Sequence, residues 1–247
     1  MKKQNSPFNI LMITLIILSM FSCKKDEVET PSNPLNGRTT AVFNPDKTYG
    51  TMSDIDGNIY KTIVIGNQTW MAENLRVTKY NNGVSIPNIT ENAEWASLTT
   101  GAFCNYNNTS DLDTIATYGR LYNWYAVADT RQIAPEGWRV PSTADWNELI
   151  DLLGGDTIAS NALKEIGTTH WEDPYESSNS SGFTAIPNGR RYLSKDMNHI
   201  GFYCTYWTAT EASLTHAGFL YLFYHSSRVN KGVNYKPNGY AVRLIKK

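Results

Sequence analysis

The clearest apolar pattern lies near the middle of the chain and predicts an amphipathic helix. Ser142 and Asp145 stand three residues apart, the spacing of a capping box, so we expect the helix to begin there. An apolar stripe with helical spacing follows, formed by Trp146, Leu149, Ile150 and Leu153. The Gly154-Gly155 pair ends this helix, and a similar stripe predicts another helix over 159–166.

Two earlier stretches also predict short helices. Thr90 can cap a turn that holds Trp95 and Leu98 and stops at Gly101. Further along, one helical face is formed by Leu121, Trp124, Tyr125 and Ala128.

Apolar runs bounded by turn residues predict strands. The runs 60–65 and 69–72 are joined by Gly66-Asn67, which is a tight hairpin turn. Later β-like runs lie at 182–186, 191–193, 202–208, 217–224 and 240–245. Because short helices come first and a strand-rich second half follows, we predict an α+β fold with an antiparallel sheet.

The first residues form a different pattern, typical of an export signal. Lys2-Lys3 precedes an apolar run over 8–21, which is shorter than the roughly 20 residues that a membrane span needs. Ser22-Cys23 then resembles the lipobox of bacterial lipoproteins, although Met20 stands where Leu is preferred. We expect residues 1–22 to be a signal peptide and Cys23 to be lipidated. The alternative is a plain signal peptide, with Cys23 an ordinary thiol.

The stretch after Cys23 carries Pro31, Pro34 and Pro45 among polar residues and has little apolar periodicity. We predict a flexible tether over 23–51, which would reach roughly 90 Å when fully extended. Residues 52–247 then form a single domain, since no repeat and no linker-like run divides them.

Charge and composition narrow the functional classes. Without residues 1–22, which hold two lysines and no acid, 20 basic and 23 acidic residues remain. This slightly negative balance gives no attraction to nucleic acid. Aromatic residues make up 12% of the chain, which suits a packed β-rich core or, as the alternative, a stacking surface.

Reactive side chains form few patterns. Cys104 and Cys204 are either a disulfide of an exported protein or two unrelated buried thiols. The four histidines lack metal-ligand spacing, and the chain has no nucleophile elbow or phosphate loop. The spacing of the first ligands in a calcium loop is matched by Asp54, Asp56 and Asn58. Ile63 stands where that loop needs a glutamate, so a turn is favoured over a calcium site. Taken together, these patterns lead us to expect no catalytic residue, metal or cofactor.

Six sequence blocks in one order carry a family resemblance: DGNIY at 56–60, IGNQTWMAENL at 65–75, YGRLYNWYAV at 118–127, PEGWRVPS at 135–142, GFTAIPNGRR at 182–191 and YWTAT at 206–210. They resemble the Fibrobacter succinogenes major paralogous domain. The resemblance implies a C-type-lectin-like fold, shared with formylglycine-generating enzymes, on exported proteins whose activity is not established. Two cysteines usual in the family are replaced here by Ala134 and Leu244, which can fill the same space as an apolar pair.

The resemblance also limits the chemistry. An oxidase of the formylglycine-generating kind would need Cys104 and Cys204 as its reactive pair, and neither lies in a matching context. A calcium-dependent sugar site of the lectin kind needs a carboxylate before Pro237-Asn238, where the cation Lys236 stands. Calcium-free stacking of a sugar on Trp or Tyr stays open. Two Asp-Thr-Ile motifs resemble an O-glycosylation signal of Bacteroidetes, with Thr114 and Thr157 as acceptors.

The function that these features favour is a non-enzymatic binding or adhesion module for a glycan or a protein. The alternatives are a structural subunit of an envelope or surface assembly and a cryptic enzyme related to the formylglycine-generating oxidases. Lys25-Asp26-Glu27 resembles the surface-export signal of Bacteroidetes lipoproteins. We therefore expect an outer-membrane, cell-surface protein that contacts the membrane through its N-terminal lipid and binds no nucleic acid.

Overall fold

The computed structural model describes Met1 and residues 33–193 and 197–247. Cys23 and residues 2–22 of the predicted signal peptide lie outside the described residues. The helices are α1 (Asn92–Ala96), α2 (Leu112–Tyr118), α3 (Trp124–Val127), α4 (Thr143–Leu152) and α5 (Ala159–Leu163). The strands are β1 (Gly50–Ser53), β2 (Ile59–Ile65), β3 (Gln68–Met71), β4 (Phe103–Cys104), β5 (Leu121–Tyr122), β6 (Trp138–Arg139), β7 (Asn188–Arg190), β8 (Asn198–Ile200), β9 (Tyr203–Glu211), β10 (His216–Phe223), β11 (Val229–Tyr235) and β12 (Ile245–Lys246). Within these ranges no helix is long and apolar enough to cross a membrane.

The described strands form two larger sheets and one small pair. The first sheet has the order β1-β2-β3-β12-β6, the second has the order β11-β10-β9-β7-β8, and β4 pairs with β5. The pairing is antiparallel in both larger sheets, except that β7 runs parallel to β9, with Gly189 opposite Cys204. The fold is therefore α+β, as predicted.

Two large hydrophobic clusters hold the domain together. In the second cluster, Trp146 of α4 stacks on Tyr206 of β9 at 5.5 Å between ring centroids and lies 4.6 Å from Trp70 of β3. Helix α4 thus packs against both larger sheets, and its aromatic contacts add to the burial of apolar area. Ala134 and Leu244, which stand in place of the family's cysteines, are both buried in the first cluster.

Local sequence signals predict some elements correctly. The first hairpin forms as β2 and β3, and α4 begins at a complete capping box, in which Ser142 and Asp145 each accept the other's backbone N–H. The short helix α5 also lies within its predicted range, although it ends at Leu163.

Other local predictions are wrong, because tertiary contacts overrule the pattern. Leu121 does not begin a helix: it pairs with Cys104 in the small sheet. The helix α3 starts only after Asn123, whose side chain accepts the N–H of Ala126. The run 182–186 forms an isolated bridge at Ala185 in place of a strand.

The N-terminal part of the domain corrects the predicted boundary at residue 52. Residues 33–51 are not a free tether, since the compact unit already includes them. Asn33 donates to the backbone oxygen of Asp56 at 2.9 Å, and Arg38 pairs with Asp113 at 2.8 Å. Leu35 lies buried against α2. Polar contacts and a buried leucine thus hold this segment on the domain. They could not be predicted from the sequence, because the apolar residues of the segment follow no helical or strand period.

Candidate functional site

A partly exposed row of aromatic side chains lies on one face of the second sheet. Because side chains alternate along a strand, Phe219, Tyr221 and Phe223 of β10 share this face, while Leu220 and Leu222 enter the core. The register of the sheet sets Tyr203 of β9 opposite Phe223, with ring centroids 4.8 Å apart. Tyr221 lies 5.6 Å from Tyr203 and 6.1 Å from Phe219.

Arg190, at the end of β7, extends this row. Its guanidinium lies over the ring of Tyr203 at 3.9 Å and over the ring of Tyr192 at 4.9 Å. We name the partly exposed set of Arg190, Tyr192, Tyr203, Phe219, Tyr221 and Phe223 the aromatic platform. Cation–π contacts hold its one arginine in place without neutralising it.

The aromatic platform presents polar groups as well as rings. Burial raises the pKa of Tyr192 by more than the nearby charge of Arg190 lowers it. This phenol therefore keeps its proton at neutral pH and can donate a hydrogen bond. At the side of the platform, Asn234 and Asn238 donate to the hydroxyl of Tyr240, whose ring stacks on Phe219 at 5.4 Å. These amides are therefore used within the protein, and the groups that suit an amphipathic ligand such as a sugar are the rings, the phenols and the one cation.

The interior also contains arginines, and one of them, Arg243, is satisfied by the protein itself. Arg243 donates to the backbone oxygens of Met71, Phe183 and Thr184 at 2.9 Å each and to the side chain of Asn74. Gly119 supports this arrangement, because its φ is +73° and an added Cβ would lie 2.6 Å from the Cβ of Asn74. Arg243 and the block residues that it contacts therefore build the fold and leave no group for a ligand.

The tryptophans do not contribute to a surface. All seven are buried: Trp70, Trp95, Trp124, Trp138, Trp146, Trp171 and Trp207. Stacking on an exposed ligand is therefore left to tyrosine and phenylalanine.

The residues considered for calcium already have internal partners. The carboxylate of Asp54 accepts the backbone N–H groups of Asp56 and Asn58 at 3.0 Å, which is a turn network, as favoured from the sequence. Lys236 is buried against the ring of Trp124 and pairs with Glu211. In the part of the chain that the structure describes, no three His, Cys, Asp or Glu side chains group as metal ligands would.

Cys104 and Cys204 are free and buried, and they belong to different hydrophobic clusters. The structure therefore has two separate thiols and not the disulfide alternative. Burial raises the pKa of Cys104 to about 11 and that of Cys204 to about 12. The nucleophilic thiolate is scarce at neutral pH for both, so neither suits an oxidase that needs a reactive pair.

One arrangement resembles a hydroxyl–imidazole–carboxylate triad. Thr40 lies 2.9 Å from Nε2 of His170, whose Nδ1 lies 2.7 Å from the carboxylate of buried Glu165. The Thr40 hydroxyl is also 3.0 Å from that of Thr117, and the Thr40 N–H donates to Thr117 as well. An acyl-transfer site needs free N–H donors for the oxyanion. These contacts instead hold the N-terminal segment on the domain.

Three surface cavities offer fewer free groups than the aromatic platform. One, of about 320 Å³, lies between α4 and β11, and its Lys231 already pairs with Asp156. A second of about 320 Å³ includes Arg139, which pairs with Asp145. A third of about 240 Å³ includes Arg76, which pairs with Glu73.

The two predicted O-glycosylation acceptors lie apart from the platform. Thr114 is half-buried in the first turn of α2, where its N–H donates to the N-cap Asp111. Thr157 is exposed in the loop before α5. Modification of either threonine stays a prediction.

The aromatic platform is not among the site residues that the sequence predicts. The period-2 alternation of Phe219, Tyr221 and Phe223 was a usable signal, but Tyr203 and Arg190 join them only through strand register. A family model described as the Fibrobacter succinogenes major domain matches residues 63–246. No curated protein and no solved structure matches the chain significantly.

Proposed function

The chain belongs to the Fibrobacter succinogenes major domain family, and from that premise we propose that it is a non-catalytic binding module whose aromatic platform holds a glycan. The family's description names no activity, so the proposal rests on the site. The observation that carries it is the row of partly exposed rings beside an arginine that packs over two of them and has no ion pair with the described residues.

The physical argument is that sugars present flat C–H faces and a rim of hydroxyl groups. The rings of Tyr203, Tyr221 and Phe223 can bury such a face, while the phenol groups of the platform bond to hydroxyls. A C-type-lectin-like fold and a lipid anchor at Cys23 belong to the same proposal. The anchor would hold the domain at the outside of the outer membrane, where environmental or neighbouring-cell glycans are available.

An array of immobilised glycans tests this proposal with the full-length protein and two variants. Tyr203→Ala removes a ring of the platform, whereas Tyr175→Ala removes an exposed ring that lies elsewhere, beside His225. We expect some glycans to bind the wild type and Tyr175→Ala but not Tyr203→Ala. Near-UV circular dichroism should show that all three proteins are folded. A blank array for the wild type would contradict the proposal, and so would unchanged binding by Tyr203→Ala.

The second candidate function, a subunit of a surface assembly, rests on the outer edge of the second sheet. β11 is an edge strand, and its Val233 and Tyr235 are at least half exposed, as is Leu214 at the β9–β10 turn. The unpaired backbone groups of such an edge, beside exposed Val and Tyr side chains, favour pairing with another chain. Concentration-dependent oligomers that Val233→Lys abolishes would favour this function, and a monomer at all concentrations would count against it.

A further inference from the structure

The charge of Arg190 is not compensated within the described part of the molecule. No carboxylate of residues 33–193 or 197–247 forms an ion pair with it, and its Nε is shielded from solvent without a hydrogen-bond partner there. The next residue, Arg191, is fully buried, and its Nε also lacks a partner, but its terminal nitrogens donate to the oxygens of Ile89, Thr90 and Asn92. The protein thus satisfies the terminal nitrogens of Arg191, whereas no described residue bonds those of Arg190.

The geometry of the aromatic platform fixes how Arg190 can be used. Its guanidinium packs over the rings of Tyr192 and Tyr203, and all of its N–H donors lie in the guanidinium plane. Because Nε is shielded from solvent, the edge left for an acceptor with a planar pair of oxygens is the one formed by the two terminal nitrogens. A carboxylate is the group that fits an arginine edge with two parallel hydrogen bonds.

From this geometry we infer that the aromatic platform prefers glycans that carry a carboxylate, and that Arg190 is the residue that determines this specificity. The inference rests on the proposed function, because it assigns a substrate class to the same site. A uronic acid combines the two required features, a flat pyranose ring for Tyr203 and Tyr221 and a carboxylate on that ring for Arg190. A single cation suits one such group, whereas nucleic acid binding needs several.

Matched ligands and variants test the inference with the full-length protein. The probes are oligomers of galacturonic, glucuronic and mannuronic acid, each beside its methyl ester, which has the same backbone without the charge. Titrations include a chelator, so that divalent cations do not bridge the acids. The variants are Arg190→Gln, which removes the charge, and Arg190→Lys, which keeps the charge but loses the planar donor edge.

We expect the wild type to bind at least one acid about tenfold more tightly than its ester, which corresponds to about 1.4 kcal/mol. Added salt should reduce this preference. Arg190→Gln should bind acid and ester equally, and Arg190→Lys should retain only part of the preference.

Two results would overturn the inference: equal wild-type affinity for every acid and its ester, or a preference that Arg190→Gln leaves intact. In both cases, binding of neutral glycans on the array would leave the proposed function standing. Failure of every glycan, neutral and acidic, would instead remove the proposed function itself.

Discussion

Arg190 and Arg191 are neighbours in the chain, yet they lie in two different regions of the molecule. Arg191 belongs to the interior, where it packs over Trp95 at 4.4 Å and its terminal nitrogens donate to protein oxygens. Arg190 belongs to the aromatic platform, where it contacts rings and has no carboxylate partner among the described residues. The difference separates residues that build the fold from residues that are available to a ligand.

The same separation applies to the aromatic side chains. Every tryptophan is in the interior, and Trp207 also donates a hydrogen bond to the backbone of Tyr122. The platform uses Tyr and Phe, which are partly exposed. The aromatic residues thus fall into two groups, and only the smaller, partly exposed group is accessible to a ligand.

The largest expected effect is in the interior, at Arg243. Arg243→Met would leave several buried carbonyl oxygens without their donor, so we expect a loss of about 3–5 kcal/mol in the free energy of unfolding. Urea unfolding followed by tryptophan fluorescence measures it. A loss below about 1 kcal/mol would mean that the interior network is not what holds the sheets together.

The neighbouring arginines give the sharpest form of the comparison. Arg191→Met should lower the free energy of unfolding by about 2–4 kcal/mol, because three acceptors lose a charged donor. Arg190→Met should lower it by about 1 kcal/mol or less, since only cation–π contacts are lost. Urea unfolding of the two variants side by side measures this difference. Equal losses of unfolding free energy would mean that Arg190 stabilises the fold as much as Arg191 does.

A smaller effect, with a defined pH dependence, is expected at the start of α4. The hydrogen bond from Arg139, with further ones from Ser142, lowers the pKa of Asp145 to about 2. Its ordinary value is about 3.9, so its contribution is present above that pH and is lost as the pH falls toward 2.

Asp145→Asn should therefore lose about 1–2 kcal/mol at neutral pH, and its unfolding free energy should converge with that of the wild type near pH 2. Thermal unfolding at pH 7, 4 and 2 measures the gap. A gap of constant size across this range would exclude the Arg139–Asp145 pair as its source.

The smallest effect is expected from a reducing agent. Cys104 and Cys204 are free, so dithiothreitol should leave the unfolding midpoint unchanged. A disulfide that closed this loop of about 100 residues would contribute roughly 4–5 kcal/mol, so a large drop on reduction would show that the cysteines pair. In the native protein, both thiols should react slowly with a thiol reagent at pH 8, because burial raises their pKa.

The sequence predicts those parts of the fold that depend on local chemistry. The capping box of Ser142 and Asp145 and the Gly66-Asn67 turn act within a few residues, so their signals survive in the sequence. Leu121 also fits a helical stripe in the sequence, but in the structure it pairs with Cys104 as a strand residue. Strand β11 has a polar, glycine-containing sequence because it lies at a solvent-exposed edge, and so it gives no apolar signal.

The candidate site is harder to predict than the fold. Tyr203, Tyr221 and Arg190 come from three strands and meet only when β7, β9 and β10 take their register. Cys104 and Cys204 show the reverse case, since two conspicuous residues turn out to be ordinary core thiols. Burial and register, which a single sequence does not display, decide both outcomes.

The central claim is that the aromatic platform serves a ligand and the interior serves the fold. The most direct measurement is a calorimetric titration of the strongest array ligand into the wild type and Tyr221→Ala, with urea unfolding of both proteins. We predict that Tyr221→Ala weakens binding about two- to tenfold, since an aromatic contact contributes about 0.5–1.5 kcal/mol, while the unfolding free energy changes by less than about 1 kcal/mol. Unchanged affinity, or a loss of stability as large as that of Arg243→Met, would contradict the account.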